Sequence, residues 1–304
     1  MRTVLIVLTS LLFCLSSVCQ ETPAPHRFTW AINDAPPFHI HSGKYQGQGF
    51  CDVLVNQMQK YIPGQHELLN LPPARIAKLR EQGAPLCFPC MIKRQDTSST
   101  RYSDATLYYQ PHKIITNPSI AASMQTEFGL PVPLTQLLQD QRFSFGRPLG
   151  RQYGAQLQPV IDQYADQSKV HTQLSGPQPT MTALRLVANG KLDYSLDYRV
   201  IGRHFELTEH GELTYLDIQE NQNNPIIGAV GCSNSEWGKE SIARINQALP
   251  LVLRSEAYLR NLDFWFAADN QDFWHRYRHQ VLGESDDKAL VSGISPAHRH
   301  NARQ

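Results

Sequence analysis

An α/β fold in two lobes, each a mainly parallel sheet flanked by helices, is what this sequence predicts, and three observations carry the prediction. Residues 28–92 alternate short apolar runs with amphipathic segments in the order strand, helix, strand, helix, strand, the pattern of parallel strands joined by right-handed crossovers. Residues 142–198 repeat that alternation without repeating the sequence. At 304 residues the chain also exceeds the size at which one hydrophobic core usually stops growing.

The first strand covers 28–32 and ends in the turn cluster Asn33-Asp34-Ala35-Pro36-Pro37. Gly47 and Gly49 open a helix over 50–61, with Val53, Leu54, Met58 and Tyr61 on one face, and Pro63-Gly64 stops it. A strand at 66–71, a helix at 74–81 and a strand at 86–92 complete the first unit. Residues 107–116 are extended, 134–138 helical, and 142–146 a strand running into Gly146-Arg147-Pro148-Leu149-Gly150. A helix at 156–164, a strand at 170–174 and a helix at 180–188 follow. Asn189-Gly190 closes the last, because the residue past a helix C-terminus commonly takes the left-handed conformation that glycine tolerates. A strand at 192–198, an extended stretch at 225–232 and helices at 239–249, 256–266 and 272–281 finish the pattern. Phe264, Trp265, Phe266, Phe273, Trp274 and Tyr277 read as the packing surface of these last helices. The tail, 283–304, has little to bury and is expected to be disordered.

The N-terminus indicates export. Arg2 supplies a positive n-region, and residues 4–18 form a mostly apolar run, shorter than the roughly 20 residues a transmembrane helix needs. Ser17 and Cys19 occupy the positions before Gln20 that a signal peptidase prefers, so residues 1–19 are expected to be a cleaved signal peptide, in preference to a signal anchor or a lipid-modified cysteine. The expected product is a periplasmic monomer without stable membrane insertion. A net charge of +1 with 18 % charged residues leaves no polyanion-binding footprint, which argues against nucleic acid as a partner.

Four cysteines remain after cleavage, Cys51, Cys87, Cys90 and Cys232. An even number in an oxidising compartment argues for disulfides, with three connectivities open. Cys87-Phe88-Pro89-Cys90 has thioredoxin-like spacing, yet it follows a helical segment and lacks the strand-then-helix setting that lowers a thiol pKa. Redox catalysis therefore ranks below structural bridges, and a zinc site, which has no second ligand pair, below that. His39 and His41 alternate along a possible strand and His275 and His279 share a helix face, but no third ligand can be named. Neither a metal nor a cofactor is expected.

Several short motifs point further. They are Asn33-Asp34-Ala35-Pro36-Pro37-Phe38, Arg101-Tyr102-Ser103-Asp104, Gly150-Arg151-Gln152-Tyr153-Gly154, Asn189-Gly190-Lys191-Leu192-Asp193-Tyr194, and Trp237-Gly238 with Ile245-Asn246. In order and spacing they resemble the type II periplasmic solute-binding proteins of the polar amino acid type (family 3), over nearly all of the mature chain. The resemblance implies a periplasmic binding protein-like fold with one lobe from 26–110 plus 229–282, a second from 111–228, and a ligand cleft between them that hinge closure buries. Strand carboxyl ends and helix N-termini converge in such a place. The family topology also implies that the strand holding Cys87 lies beside the returning strand holding Cys232, so that these two bridge and Cys51 meets Cys90. On a strand, positions 87 and 90 point to opposite faces.

The same resemblance nominates ligand contacts. Asp34 and Phe38 follow the first strand, where the family offers polar contacts and an aromatic face; a surface turn with Phe38 packed inward is the alternative. Tyr153 lies in the loop that the second lobe presents to the cleft. Thr180 begins a helix whose N-terminus can hold an anion or simply be capped. Asp197 corresponds to the acidic position that commonly pairs with a ligand amino group. At 93–97 the family usually carries an arginine that grips a ligand carboxylate in a two-pronged contact, but here Thr97 stands in its place. Lys93 and Arg94 are then the available cations, which leaves an amino acid ligand open to question. The expected function is capture of a small polar solute, one that can carry an anionic group, for an ABC-type importer or a membrane sensor. The alternatives are an enzyme on the same fold acting on a small carboxylic acid, for which no nucleophile–base pair is visible, and a thiol-redox protein using Cys87 and Cys90.

Overall fold

The computed structural model describes residues 26–165, 170–176, 178–222, 226–267 and 272–284. The expected signal peptide and all but the first two residues of the expected tail lie outside them.

In chain order the elements are β1 (Arg27–Ile32), α1 (Phe50–Tyr61), β2 (Gln65–Asn70), α2 (Pro73–Glu81), β3 (Cys87–Ile92), β4 (Thr100–Tyr109), β5 (Lys113–Thr116), α3 (Pro118–Phe128), α4 (Leu134–Gln139) and β6 (Phe145–Pro148). There follow α5 (Gly154–Tyr164), β7 (His171–Leu174), α6 (Pro179–Ala188), β8 (Tyr194–Asp197), α7 (Arg199–Glu209), β9 (Thr214–Asp217), β10 (Ile226–Ser233), α8 (Glu236–Val252), α9 (Glu256–Leu262), a π-helical turn (Asp263–Ala267) and α10 (Phe273–Gln280).

The strands form two five-stranded sheets, ordered β2-β1-β3-β10-β4 and β7-β6-β8-β5-β9. In the first, β1 runs parallel to β2 and β3, as the strand–helix alternation predicts, while β10 is antiparallel to both β3 and β4. In the second, β6 is parallel to β7 and β8, and β5 antiparallel to β8 and β9. Each sheet is therefore mixed, with four strands running one way and a single strand, β10 in the first sheet and β5 in the second, running against them. The reversed strands follow from the path of the chain, which leaves the first sheet through β4, enters the second through β5 and returns through β10. The extended stretch expected at 107–116 is the end of one strand and the whole of another, in different sheets. Ile226 already pairs with Tyr109 in the first sheet.

Among the described residues a small buried cluster, Ala31, Ile76 and Leu86, accompanies two large cores. Ile114, Leu134, Leu137, Phe145, Leu157, Tyr194 and Leu196 fill the second lobe. The other core holds Phe28, Trp30, Phe50, Leu54 and Met58 of the first lobe and continues through Tyr109 into Tyr198, Val200, Ile201 and Phe205 of the second, so the lobes meet over an apolar contact. The aromatic residues of the C-terminal segments pack as expected in the main: Trp265, Phe266, Phe273 and Tyr277 are buried, while Phe264 is exposed.

Cys87 faces Cys232 across the β3–β10 ladder and is joined to it, and Cys51 at the start of α1 is joined to Cys90 on β3. This is the pairing that the resemblance implies. Each cysteine of the Cys87-Phe88-Pro89-Cys90 run is bonded elsewhere, which removes the basis for a redox pair between them.

The loop after β1 is fastened to α1 by one carboxylate. Asp52 accepts the backbone N–H groups of Ile40 (2.9 Å) and Gly49 (3.2 Å) on one oxygen and bonds the His39 ring at 2.6 Å with the other. Gly49 has no substitute here, because a Cβ would lie 2.3 Å from the Phe38 carbonyl oxygen. The Phe38 ring then lies 4.7 Å from Phe50.

Candidate functional site

The site grows from the ends of two neighbouring strands. Phe145 of β6 lies opposite Tyr194 of β8, so Pro148 and Asp197, three residues further on, end their strands level with one another. The loop beyond Pro148 carries Arg151, whose guanidinium bonds Asp197 Oδ1 directly. The backbone N–H of Tyr198 donates to the same oxygen at 2.7 Å. Asp197 is 1 % exposed and the Arg151 side chain 23 %. Burial holds the Asp197 carboxyl above the usual carboxylate range, with Arg151 and the Tyr198 N–H working against that rise. Burial opposes the charge on Arg151, but Asp197 and the surrounding tyrosines more than offset it, and its pKa is raised.

Aromatic rings surround this pair in an unbroken series from one lobe to the other. The Phe38 ring stacks 6.0 Å from Tyr109, Tyr109 stacks 5.4 Å from Tyr198, Tyr198 lies 4.1 Å from the His112 ring, and His112 meets Tyr153 edge-on at 5.7 Å. Arg151 also lies over the Tyr198 face at 5.4 Å. The series is lined with buried polar atoms that lack hydrogen-bond partners: Asp197 Oδ2, Arg151 Nε, the Tyr153 hydroxyl and both ring nitrogens of His112. Buried polar groups are nearly always paired, because an orphaned one costs about 1–3 kcal/mol. Five such atoms gather around this one ion pair.

Burial, followed by the nearby Arg151 cation, pushes His112 from the usual 6.5 down to about 3. The unfolded chain therefore takes up a proton that the native chain refuses, and this contribution removes stability as pH falls through that window. Between about pH 7 and about pH 5 the expected loss is about 2 kcal/mol. Urea unfolding at both pH values should show a shallower loss in His112→Phe, which keeps a ring on Tyr198; an equal loss in both proteins would refute the assignment.

No family model matches the chain, and no curated protein matches its sequence. Its fold, by contrast, matches solved structures. The substrate-binding protein of an amino acid ABC transporter superposes with a TM-score of 0.54 at 14% identity, over 79% of this chain and 99% of that one. A histidine kinase sensor domain with similarity to periplasmic binding proteins gives 0.58 at 13%, over 80% and 96%. An ancestral amino acid-binding protein described as a precursor of cyclohexadienyl dehydratase gives 0.56 at 12%, over 79% and 95%. The fold is that of a type II periplasmic binding protein. At these identities the likeness is one of architecture, and it agrees with the two-lobed fold that the sequence motifs suggest.

Within the periplasmic binding protein fold, the nominated residues separate into groups. Tyr153, Asp197 and Phe38 join one continuous cluster. Asp34 stands apart, exposed, in a crevice of about 200 Å³ between the lobes that it shares with Lys44 and Tyr45 on one side and Gln178, His204 and Glu209 on the other. Thr180 is half-buried in the first turn of α6, beside this crevice's Gln178 and Met181. Lys93 extends from the end of β3 to Asp104 at 3.8 Å, and Arg94 is exposed. Thr97 spends its hydroxyl on the N–H groups of Ser99 and Thr100 in a local turn.

Sequence reading missed Arg151, His112 and Tyr198 as site residues. Arg151 was visible only as part of a loop motif; its role emerges once β6 and β8 are known to be neighbours. Among the described residues no group of three or more His, Cys, Asp or Glu side chains gathers as a metal site would require, and no helix is long and apolar enough to cross a membrane. His39 is bound to Asp52, His41 to Asn70, and His275 lies 3.6 Å from Asp272.

Proposed function

We propose that this chain is an exported solute-binding protein that closes its lobes on a small polar solute at the Asp197–Arg151 cluster, for an ABC-type importer or a membrane sensor. The supporting observation is the set of orphaned buried polar atoms lining an aromatic series that both lobes supply. Resemblance to a transporter's binding protein and to a kinase sensor domain favours the same class of role. Arg151 already meets the charge of Asp197, so the solute needs no ammonium group there. It needs a hydrogen-bond donor for Asp197 Oδ2, atoms to engage the Tyr153 hydroxyl and His112, and a flat or apolar face for the rings. A carboxylate can add a contact to the Arg151 guanidinium.

A thermal-shift screen of metabolites on the mature protein tests this reading. A true solute at about 100 times its dissociation constant should stabilise the fold by about 2.7 kcal/mol. An enzyme on the same fold is the second reading, favoured by a neutral, buried His112 beside a guanidinium and two tyrosines. Turnover of small carboxylic acids by the purified protein would establish it in place of simple binding. Export is part of the proposal, and N-terminal sequencing of periplasmic material should begin at or near Gln20.

A further inference from the structure

The strand that crosses between the lobes has a second face. Neighbouring residues on an extended chain point to opposite sides. Tyr109 and His112 turn their rings to Tyr198 in the cleft, while Tyr108 and Lys113 line a separate cavity of about 380 Å³. After β8 the chain turns into α7, so that Asp197 belongs to the cleft cluster while Arg199, the first residue of the helix, lines the cavity. The cavity is walled by both lobes and by both crossing segments, Gln110 on the outward path and Gln222 on the return.

Its chemistry differs from that of the cleft. Among the described residues, three cations stand in the wall, Lys113 and Arg199 from the second lobe and Arg276 of α10 from the first, with one lining carboxylate, Asp272. Each cation is held in place. The Arg276 Nε donates to Asp272 at 2.5 Å, Lys113 bonds Asp217 on the adjacent strand, and the Arg199 guanidinium lies 4.3 Å over the Tyr215 ring. Guanidinium groups fixed this way present planar donor forks suited to carboxylate or phosphate oxygens. The volume falls within the roughly 300–1,000 Å³ range of small-molecule sites.

We propose that this hinge cavity is a second binding site, distinct from the cleft, and that it takes a small oxyanion, a carboxylate or a phosphate, between Arg199 of one lobe and Arg276 of the other. An oxyanion there touches both lobes at the hinge, with Asp197 and Tyr198 immediately adjacent in the chain.

The test uses the mature protein with inorganic phosphate and with citrate, each compared with sodium chloride at matched ionic strength, read by melting temperature and by titration calorimetry. The expected result is a saturable stabilisation by at least one oxyanion and none by chloride. The Arg199→Gln/Arg276→Gln variant should weaken that binding at least tenfold, and Arg151→Gln, in the cleft, should leave it unchanged. If the double variant does not fold, Arg276→Gln alone, at a side chain 48 % exposed, should weaken binding at least threefold. Absence of a saturable response to both oxyanions, or full binding in the Arg276 variants, would overturn the proposal. So would loss of binding in Arg151→Gln alone, which would place the anion in the cleft.

Discussion

Replacing Cys87 and Cys232 together by alanine should lower the free energy of unfolding by about 5 kcal/mol, through the chain entropy released when a long loop is opened. The bridge spans 145 residues, so in the unfolded chain it ties β3 of the first lobe to the strand that returns after the whole second lobe. The Cys51–Cys90 bridge closes a span of only 39, for which the same relation gives about 4 kcal/mol. Loop entropy and position therefore rank the two bridges in the same order. Denaturant titration of the two double-alanine variants under non-reducing conditions checks the ranking. A larger loss for the Cys51/Cys90 variant would mean that local packing, not loop entropy, governs both.

Asp197→Ala should cost about 3 kcal/mol of stability, towards the lower end of what breaking a buried ion pair usually costs. The substitution leaves the Arg151 guanidinium beside Tyr198 and Tyr153 without its counter-charge, and arginine cannot shed its proton to escape. Partial exposure of the Arg151 side chain, 23 %, keeps the loss from being larger. The paired replacement Asp197→Leu/Arg151→Met removes both charges at once and should destabilise less than Asp197→Ala alone, since neither partner is then stranded. Urea unfolding of the three proteins decides the matter. If Asp197→Ala is neutral, the carboxylate is not carrying the structural charge balance assigned to it, and the sequence-based view of Asp197 as a free ligand contact would be restored.

The contrast between those two views of Asp197 shows what the sequence could reveal. Apolar periodicity located α1 at the residues observed and most other elements to within a few positions. It failed where the pattern is diluted. The first half of β4, with Arg101, Tyr102, Ser103 and Asp104, is an edge strand and can afford polar side chains. In α7, Val200, Ile201, His204 and Phe205 give a buried face, but Gly202 in their midst reads as a breaker. The glycine is there because a Cβ would lie 2.4 Å from the Tyr215 hydroxyl, a contact no local pattern discloses. β9 has four residues, too few for alternation to register, and α3 buries only Ala121 and Met124. In the site, the family resemblance nominated Asp197 and Tyr153, and the two fall in one cluster. The partner of Asp197 was hidden because Arg151 reaches it through strand adjacency, and adjacency depends on sheet order, which the one-dimensional pattern leaves open.

The central claim is that the orphaned polar atoms around Asp197 and Arg151 exist to bind a solute, and the Tyr153 hydroxyl tests it with the least structural disturbance. It is buried, lacks a partner and has its pKa raised by burial, with Asp197 adding to the rise. Deleting it should leave the unliganded melting temperature equal or slightly higher, because an unpaired buried hydroxyl contributes nothing to the folded state. The decisive measurement is the dissociation constant of the screened solute for Tyr153→Phe against the wild-type protein, by titration calorimetry. A weakening of about five- to tenfold, equivalent to about 1–1.4 kcal/mol, with unimpaired folding is the result this account predicts. Unchanged affinity in a folded Tyr153→Phe protein would contradict it and move the solute away from this cluster.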